Sequence, residues 1–293
     1  MERKLIQQGG GGYTIYLPKK WIERNGLNKG NNINVTEDEN KLIIEANSSP
    51  IQKKVKIDVS GLSPLINRSF IALYVHGVDE IEATFSNKED VKDFQKRVIS
   101  ELLGFEIIKQ TQTTFILKDV TGSQNQDIDE LIKRIFLILD SMAEELALNL
   151  QKGSELEQVI QVDSSVNRLC HFCMRILNKS SYKEFEKTSQ IYGIINLLEE
   201  IGDSYKKIAI ESKTDKLNKN QIKTISQSRE LLSYFKKLIF EFNKKELVEC
   251  AKRYEFIKKS VSSKDKIDAN LIELLDTIIK INNYLLVFSL VEE

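Results

Sequence analysis

The stretch Arg3-Lys-Leu-Ile-Gln-Gln-Gly9, followed after three more glycines by Tyr13-Thr-Ile-Tyr-Leu-Pro-Lys-Lys-Trp-Ile-Glu-Arg-Asn-Gly-Leu-Asn-Lys-Gly30, decides how this chain of 293 residues is read. Arg3 to Gln7 and Tyr13 to Leu17 are short β-prone runs on either side of the glycines. Pro18 suits the first turn of a helix, and Gly26 sits where that helix closes in a left-handed residue. Ile33 to Val35 and Leu42 to Glu45 flank Glu37 to Asn40, which reads as a hairpin turn. Four short strands and a two-turn helix bury too little apolar surface to stand alone. Such a unit needs a partner, and its own copy is the simplest one. The four glycines do not make a phosphate-cradling loop, which requires Gly-Lys-Ser/Thr opening a helix; Tyr13 opens a strand.

Charge is distributed unevenly. The whole chain carries 43 basic and 43 acidic residues, a formal charge of zero, which excludes a polycation that coats nucleic acid or anionic membrane along its length. Residues 1–30 nevertheless hold Arg3, Lys4, Lys19, Lys20, Arg24 and Lys29 against only Glu2 and Glu23. A locally cationic, dimerising β unit suits nucleic acid, whose phosphates lysine and arginine neutralise.

Leu17-Pro18 at a helix start, then Gly26-Leu27 and Lys29-Gly30 leading into a strand, resembles the AbrB/MazE/SpoVT swapped-hairpin family over residues 1 to 46. The resemblance implies an intertwined homodimer that binds DNA through Arg3, Lys4, Lys19, Lys20 and Arg24. Asn31 stands where that family usually has Asp, at a position that looks structural.

Outward from this unit the texture changes. Asn47-Ser-Ser-Pro50 and Gly122-Ser-Gln-Asn-Gln126 read as linkers, dividing the chain into domains at 1–47, 51–122 and 127–293. In the middle segment, strands are expected at Val55–Val59, Glu80–Phe85, Phe105–Gln110 and Thr114–Lys118. Helices are expected at Leu65–Val75 and Lys88–Leu103. The order β-α-β-α-β-β fits a small sandwich with both helices on one face, a spacer or packing module without catalytic groups. His76, beside Gly77, reads as a helix-end dipole partner.

From Asp127 onward apolar residues step by three and four. The seams are Ile128-Leu131-Ile135-Ile138-Met142, Val159-Val162-Val166-Leu169-Cys173-Ile176 and Ile194-Leu198-Ile201-Tyr205-Ile208. After a polar break at Lys213–Asn220 come Ile222-Ile225-Arg229-Leu232-Phe235-Ile239-Phe242, a short helix near Leu247–Lys259, and Leu271-Leu274-Ile278-Ile281-Leu285-Phe288. This 3.5-residue period predicts an antiparallel bundle of six helices in two sets of three, at 127–213 and 218–293. The expected fold class is therefore α+β: a swapped-hairpin β domain, a small α/β sandwich and this bundle. Cys170-His-Phe-Cys173 imitates half a zinc site, but Cys173 lies on an apolar seam and only Cys250 remains as a third cysteine, so the pair reads as core.

Glu199 and Asp203 share one helix face at i, i+4, a repulsive arrangement unless a cation lies between them. Gly202 beside them suggests a close approach by a neighbouring helix. Leu197-Leu-Glu-Glu-Ile-Gly-Asp-Ser-Tyr205, with Asp163-Ser-Ser-Val-Asn167-Arg168-Leu169 and Arg175-Ile-Leu177, resembles PhoU-type phosphate-uptake regulators. That resemblance implies metal-cluster ligands at Glu199, Asp203, Asp163 and Asn167, for a divalent metal or iron. Asn167 is a neutral, weaker ligand than the acid expected there. In the second repeat Ile279 and Asn283 replace both acids, which leaves one cluster at most.

The two resemblances together are similar to archaeal phosphate-uptake regulators. They imply a cytoplasmic, homodimeric, DNA-binding regulator of transcription and phosphate homeostasis whose bundle senses a ligand, metal or partner. The alternative is an adaptor whose bundle binds a phosphate transporter or signalling protein and whose first domain only dimerises. No nucleophile–histidine motif supports an enzyme, and no apolar run is long enough to insert in a membrane. The three cysteines make no secreted disulfide framework.

Overall fold

The structure, a computed structural model, describes residues 2–38, 41–46, 52–97, 99–121, 126–149, 156–262 and 264–289. The linkers expected at Asn47–Pro50 and Gly122–Gln126 fall outside these residues, Gln126 excepted. Two compact units result, Met1–Lys53 and Lys54–Glu293.

In the first unit β1 (Ile6–Gln8) pairs antiparallel with β2 (Gly12–Thr14). Gly10 and Gly11, at φ +93° and +92°, make the turn in a region that side chains disfavour. Both strands are shorter than the expected runs, the ladder ending at the Ile6–Thr14 pair. Helix α1 (Lys19–Arg24) follows, with Pro18 as its N-cap rather than inside its first turn. The Pro18 carbonyl accepts from the Trp21 and Ile22 amides. Strands β3 (Ile33–Asp38) and β4 (Lys41–Ala46) pair antiparallel; Glu37 and Asp38, expected in the turn, belong instead to β3 because they pair with Leu42 and Lys41, and Glu39 and Asn40 lie outside the described residues.

The second unit begins with β5 (Lys54–Asp58), α2 (Ile66–Val75), β6 (Glu80–Thr84), α3 (Lys88–Arg97), β7 (Phe105–Gln110) and β8 (Thr114–Asp119). The sheet order is β5-β6-β8-β7, with β5 and β6 parallel and the other pairs antiparallel. Alternation divides the faces. Ile81, Ala83, Phe115 and Leu117 point into one core with Phe70 and Tyr74 of α2 and Val91 and Phe94 of α3. On the neighbouring strands Lys54 and Lys56 pair with Glu80 and Glu82 at 2.8 and 2.6 Å. The helix expected through Leu103 ends instead at Arg97, and the chain continues as a 3₁₀ turn at Ile99–Glu101. The turn lets Leu102 enter the core before Gly104, at φ +83°, redirects the chain into β7.

Seven helices, rather than the expected six in two sets of three, complete the described unit, because the last expected helix divides at Lys280: α4 (Ile128–Asn149), α5 (Leu156–Ser180), α6 (Thr188–Glu211), α7 (Lys219–Phe240), α8 (Lys244–Ser260), α9 (Lys266–Ile279) and α10 (Ile281–Ser289). The seam residues Ile194, Leu198, Ile201, Tyr205 and Ile208 of α6 are all fully buried, as are Leu271, Leu274, Ile278, Ile281 and Leu285. Phe242 departs from its seam: it lies past the end of α7 and is 41% exposed. The last seam also breaks, since the backbone tightens to i→i+3 bonds at Lys280 and starts α10. After that break the Tyr284 ring lies over Gly193 of α6, where a Cβ atom would meet it at 2.3 Å. Asn218, Asn243 and Asp265 cap α7, α8 and α9 by accepting from backbone amides. Among the described residues no helix is long and apolar enough to cross a membrane.

Candidate functional sites

No described side chain of the first unit is buried. Leu5, Tyr13, Tyr16, Val35 and Leu42 are all more than half exposed, a density of bare apolar surface that a stable soluble unit covers. Local hydrogen bonds nonetheless close its turns. The Leu27 amide donates to the Ile22 carbonyl and the Gly26 amide to that of Glu23, which closes α1 in a Schellman motif with Gly26 at φ +62°. The Asn31 side-chain oxygen accepts from the Asn28 amide at 2.6 Å, so an Asn does there the turn-closing work expected of Asp. The five candidate cations are exposed and fall in two sets. Arg3 and Lys4 precede β1; Lys19, Lys20 and Arg24 ride on α1, where Lys19 meets Glu23 at 3.6 Å.

A second constellation lies where α5 meets α6. Asp163 is buried on α5, and the Lys206 ammonium of α6 donates to its Oδ2 at 2.7 Å while lying 3.5 Å from Asp203 Oδ1. Asn167 donates to the same Oδ2 at 3.5 Å. Glu199 sits elsewhere, its Oε1 3.3 Å from Nε2 of the buried His171. Gly202 permits the close approach, for a Cβ there would lie 3.1 Å from Val166 Cγ1 and 3.4 Å from Asp163 Oδ1. Burial raises the Asp163 pKa, and the Lys206 contact only partly offsets it. Burial likewise raises Glu101, on the 3₁₀ turn, which His171 steadies and Glu199 repels. The Lys206 ammonium is disfavoured by burial, but Asp163 and Asp203 hold its pKa above the ordinary lysine value. Of the four residues that the PhoU resemblance implies as metal ligands, Asp163, Asn167 and Asp203 come together around Lys206, and Glu199 turns to His171. Among the described residues no group of three or more His, Cys, Asp or Glu is arranged to hold a metal ion. The residues present therefore do not fit the implied cation while the lysine is there.

The three cysteines are free and buried. Burial lifts all three thiols, Cys173 to about 12 and Cys250 to about 11, so none supplies a thiolate near neutrality.

Sequence reasoning missed Arg175, which has no exposed surface. Its guanidinium donates to the Tyr74 and Val78 carbonyls at 2.8 and 2.6 Å, to Asp79 at 2.8 Å and to Asp119 at 2.9 Å. The Tyr74 and Phe105 rings each lie 5.0 Å from it. Lys179 also bonds Asp79. Helix α5 is thus bolted to the sandwich through a paired charge, and the middle segment is a docking platform rather than a loose spacer. Burial alone would raise the Asp119 pKa, but bonds from Arg175 and from Thr121 hold it below the ordinary carboxylate range. The available signal was an arginine inside the run Cys173-Met-Arg-Ile-Leu177, every member of which is buried. A helix apolar on all sides is covered on all sides, and a charge within it demands a carboxylate.

Residues 6–53 match the family model described as "Antidote-toxin recognition MazE, bacterial antitoxin". The match supports the swapped-hairpin reading of the N-terminal unit and ends before the sandwich and bundle. Searches of curated proteins and of solved structures return no match.

Proposed function

We propose that the chain is a homodimeric, DNA-binding transcription regulator whose MazE-like unit reads DNA through Arg3, Lys4, Lys19, Lys20 and Arg24. The observation that carries this reading is the first unit itself. Its apolar strand residues are bare in one chain, and its cations stand exposed beside them. A second copy covers the former and doubles the latter. The helical half, in this reading, is a PhoU-like sensor that responds to phosphate status or to a partner protein and performs no catalysis. The meeting of the Asp163–Asn167 turn of α5 with Asp203 of α6 supports that part, since both segments carry the likeness.

Binding to DNA fragments of the source genome, phosphate-transport promoters included, tests the reading across a salt series. Selective binding is expected, with log affinity falling by roughly 0.9 per tenfold rise in salt for each phosphate neutralised. Lys19→Ala, Lys20→Ala and Arg24→Ala together lower affinity and flatten that slope. Equal weak binding to every fragment, unmoved by the triple substitution, overturns it. The adaptor reading, with a transporter or signalling protein on the bundle, then takes its place. So does recognition of a toxin, which the description of the matched family names.

A further inference from the structure

We propose that the Lys206 ammonium is a built-in substitute for a metal ion in the α5–α6 carboxylate cluster, so that the native chain binds no divalent cation there and loss of the lysine creates such a site.

Lys206 lies one turn beyond Asp203 on α6 and reaches back across the helix contact to Asp163 of α5. Its charge therefore lies between carboxylates of two helices, the place from which a bridging cation neutralises both. Hard divalent cations bind carboxylate oxygens at about 2.0–2.6 Å. An ion bound to Asp163 would sit beside the ammonium that Oδ2 already holds and be repelled by it. Asn167, next to Asp163, is neutral, and Glu199 lies against His171, so the ammonium is the cation in contact with Asp163 and Asp203.

The lysine leaves the polar inventory incomplete. Asp163 Oδ1 and Asn167 Oδ1 are buried without a hydrogen-bond partner in the protein, although Asp163 is only 2% exposed. Once the ammonium is removed, both Asp163 oxygens, the Asn167 oxygen and the Asp203 carboxylate remain as hard oxygen donors, the set suited to manganese or magnesium. Lys206 is one-third exposed, so an ion has a route in from solvent. Gly202 keeps the space beside Asp163 Oδ1 clear.

The test is equilibrium Mn²⁺ binding to chelator-treated full-length protein, with free Mn²⁺ followed by electron paramagnetic resonance. The native chain is expected to show no site tighter than the millimolar range. Lys206→Gln is expected to gain one site per chain, at least tenfold tighter, and Lys206→Gln with Asp163→Asn to lose it. Lys206→Met, which keeps the apolar stem, is the parallel variant and carries the test if the glutamine form does not fold. A native chain that binds one Mn²⁺ in an Asp163-dependent way overturns the proposal. So does a folded lysine-free variant that gains no site.

Discussion

The MazE-like unit and helix α5 use the same two ingredients, apolar side chains and cations, in opposite ways. Among the described residues of the first unit none is buried: Leu42 is 62% accessible and Lys19, Lys20 and Arg24 face solvent. In α5 both are enclosed. Arg175 has no accessible surface, and the five consecutive residues Cys173 to Leu177 are all buried. An exposed cation stays available to an external phosphate, whereas an enclosed one is committed to internal carboxylates and carbonyls. On the proposed homodimeric reading, the stability of the first unit is tied to protein concentration.

The sharpest way to break this contrast is Arg175→Ala. Removing the guanidinium from this buried network takes from Asp79 and Asp119 a charge that Lys179 and Thr121 do not replace in full, and costs about 3–5 kcal/mol, read as a lower urea midpoint of the helical transition. The same lock has an acid signature. The Asp119 carboxyl is held below its ordinary value, so its contribution is full above the unfolded pKa near 3.9 and is lost as pH falls through the folded one. Stability of the native chain therefore drops more steeply over that range than stability of Arg175→Ala, as paired acid titrations will show.

Leu42→Lys sharpens the other side. If a second copy covers Leu42, the change costs about 1.5–3 kcal/mol of association, close to or beyond tenfold in dimer Kd by sedimentation equilibrium. The urea midpoint of the helical transition stays where it was. Smaller still is Gly26→Ala, which forces a side chain into the left-handed region that ends α1 and costs about 1–2 kcal/mol. That loss appears in the thermal unfolding of the first unit and in weaker DNA binding, since α1 carries Lys19, Lys20 and Arg24.

Much of this was legible in the residues. The Gly26 helix end, the pairing of β3 with β4, the β-α-β-α-β-β order and the three-four seams follow from backbone preference and period alone. These are local causes, each acting within a few residues, so a linear reading captures them. The 3₁₀ turn that ends α3, the break at Lys280 and the exposure of Phe242 were not legible. Each depends on a contact or an ending that periodicity does not encode.

The polar sites divide in the same way. The sequence by itself determined that Glu199 and Asp203 are spaced to share a helix face and that Gly202 beside them suits a close approach. Only the tertiary structure decided that a cation, Lys206, serves Asp163 and Asp203 while Glu199 turns to His171, and that Arg175 joins α5 to carboxylates 96 and 56 residues away in the chain. Spacing states which side chains share a face. It is silent on what packs against that face, and for a buried charge the identity of that neighbour sets whether the group is a binding site or an internal bolt.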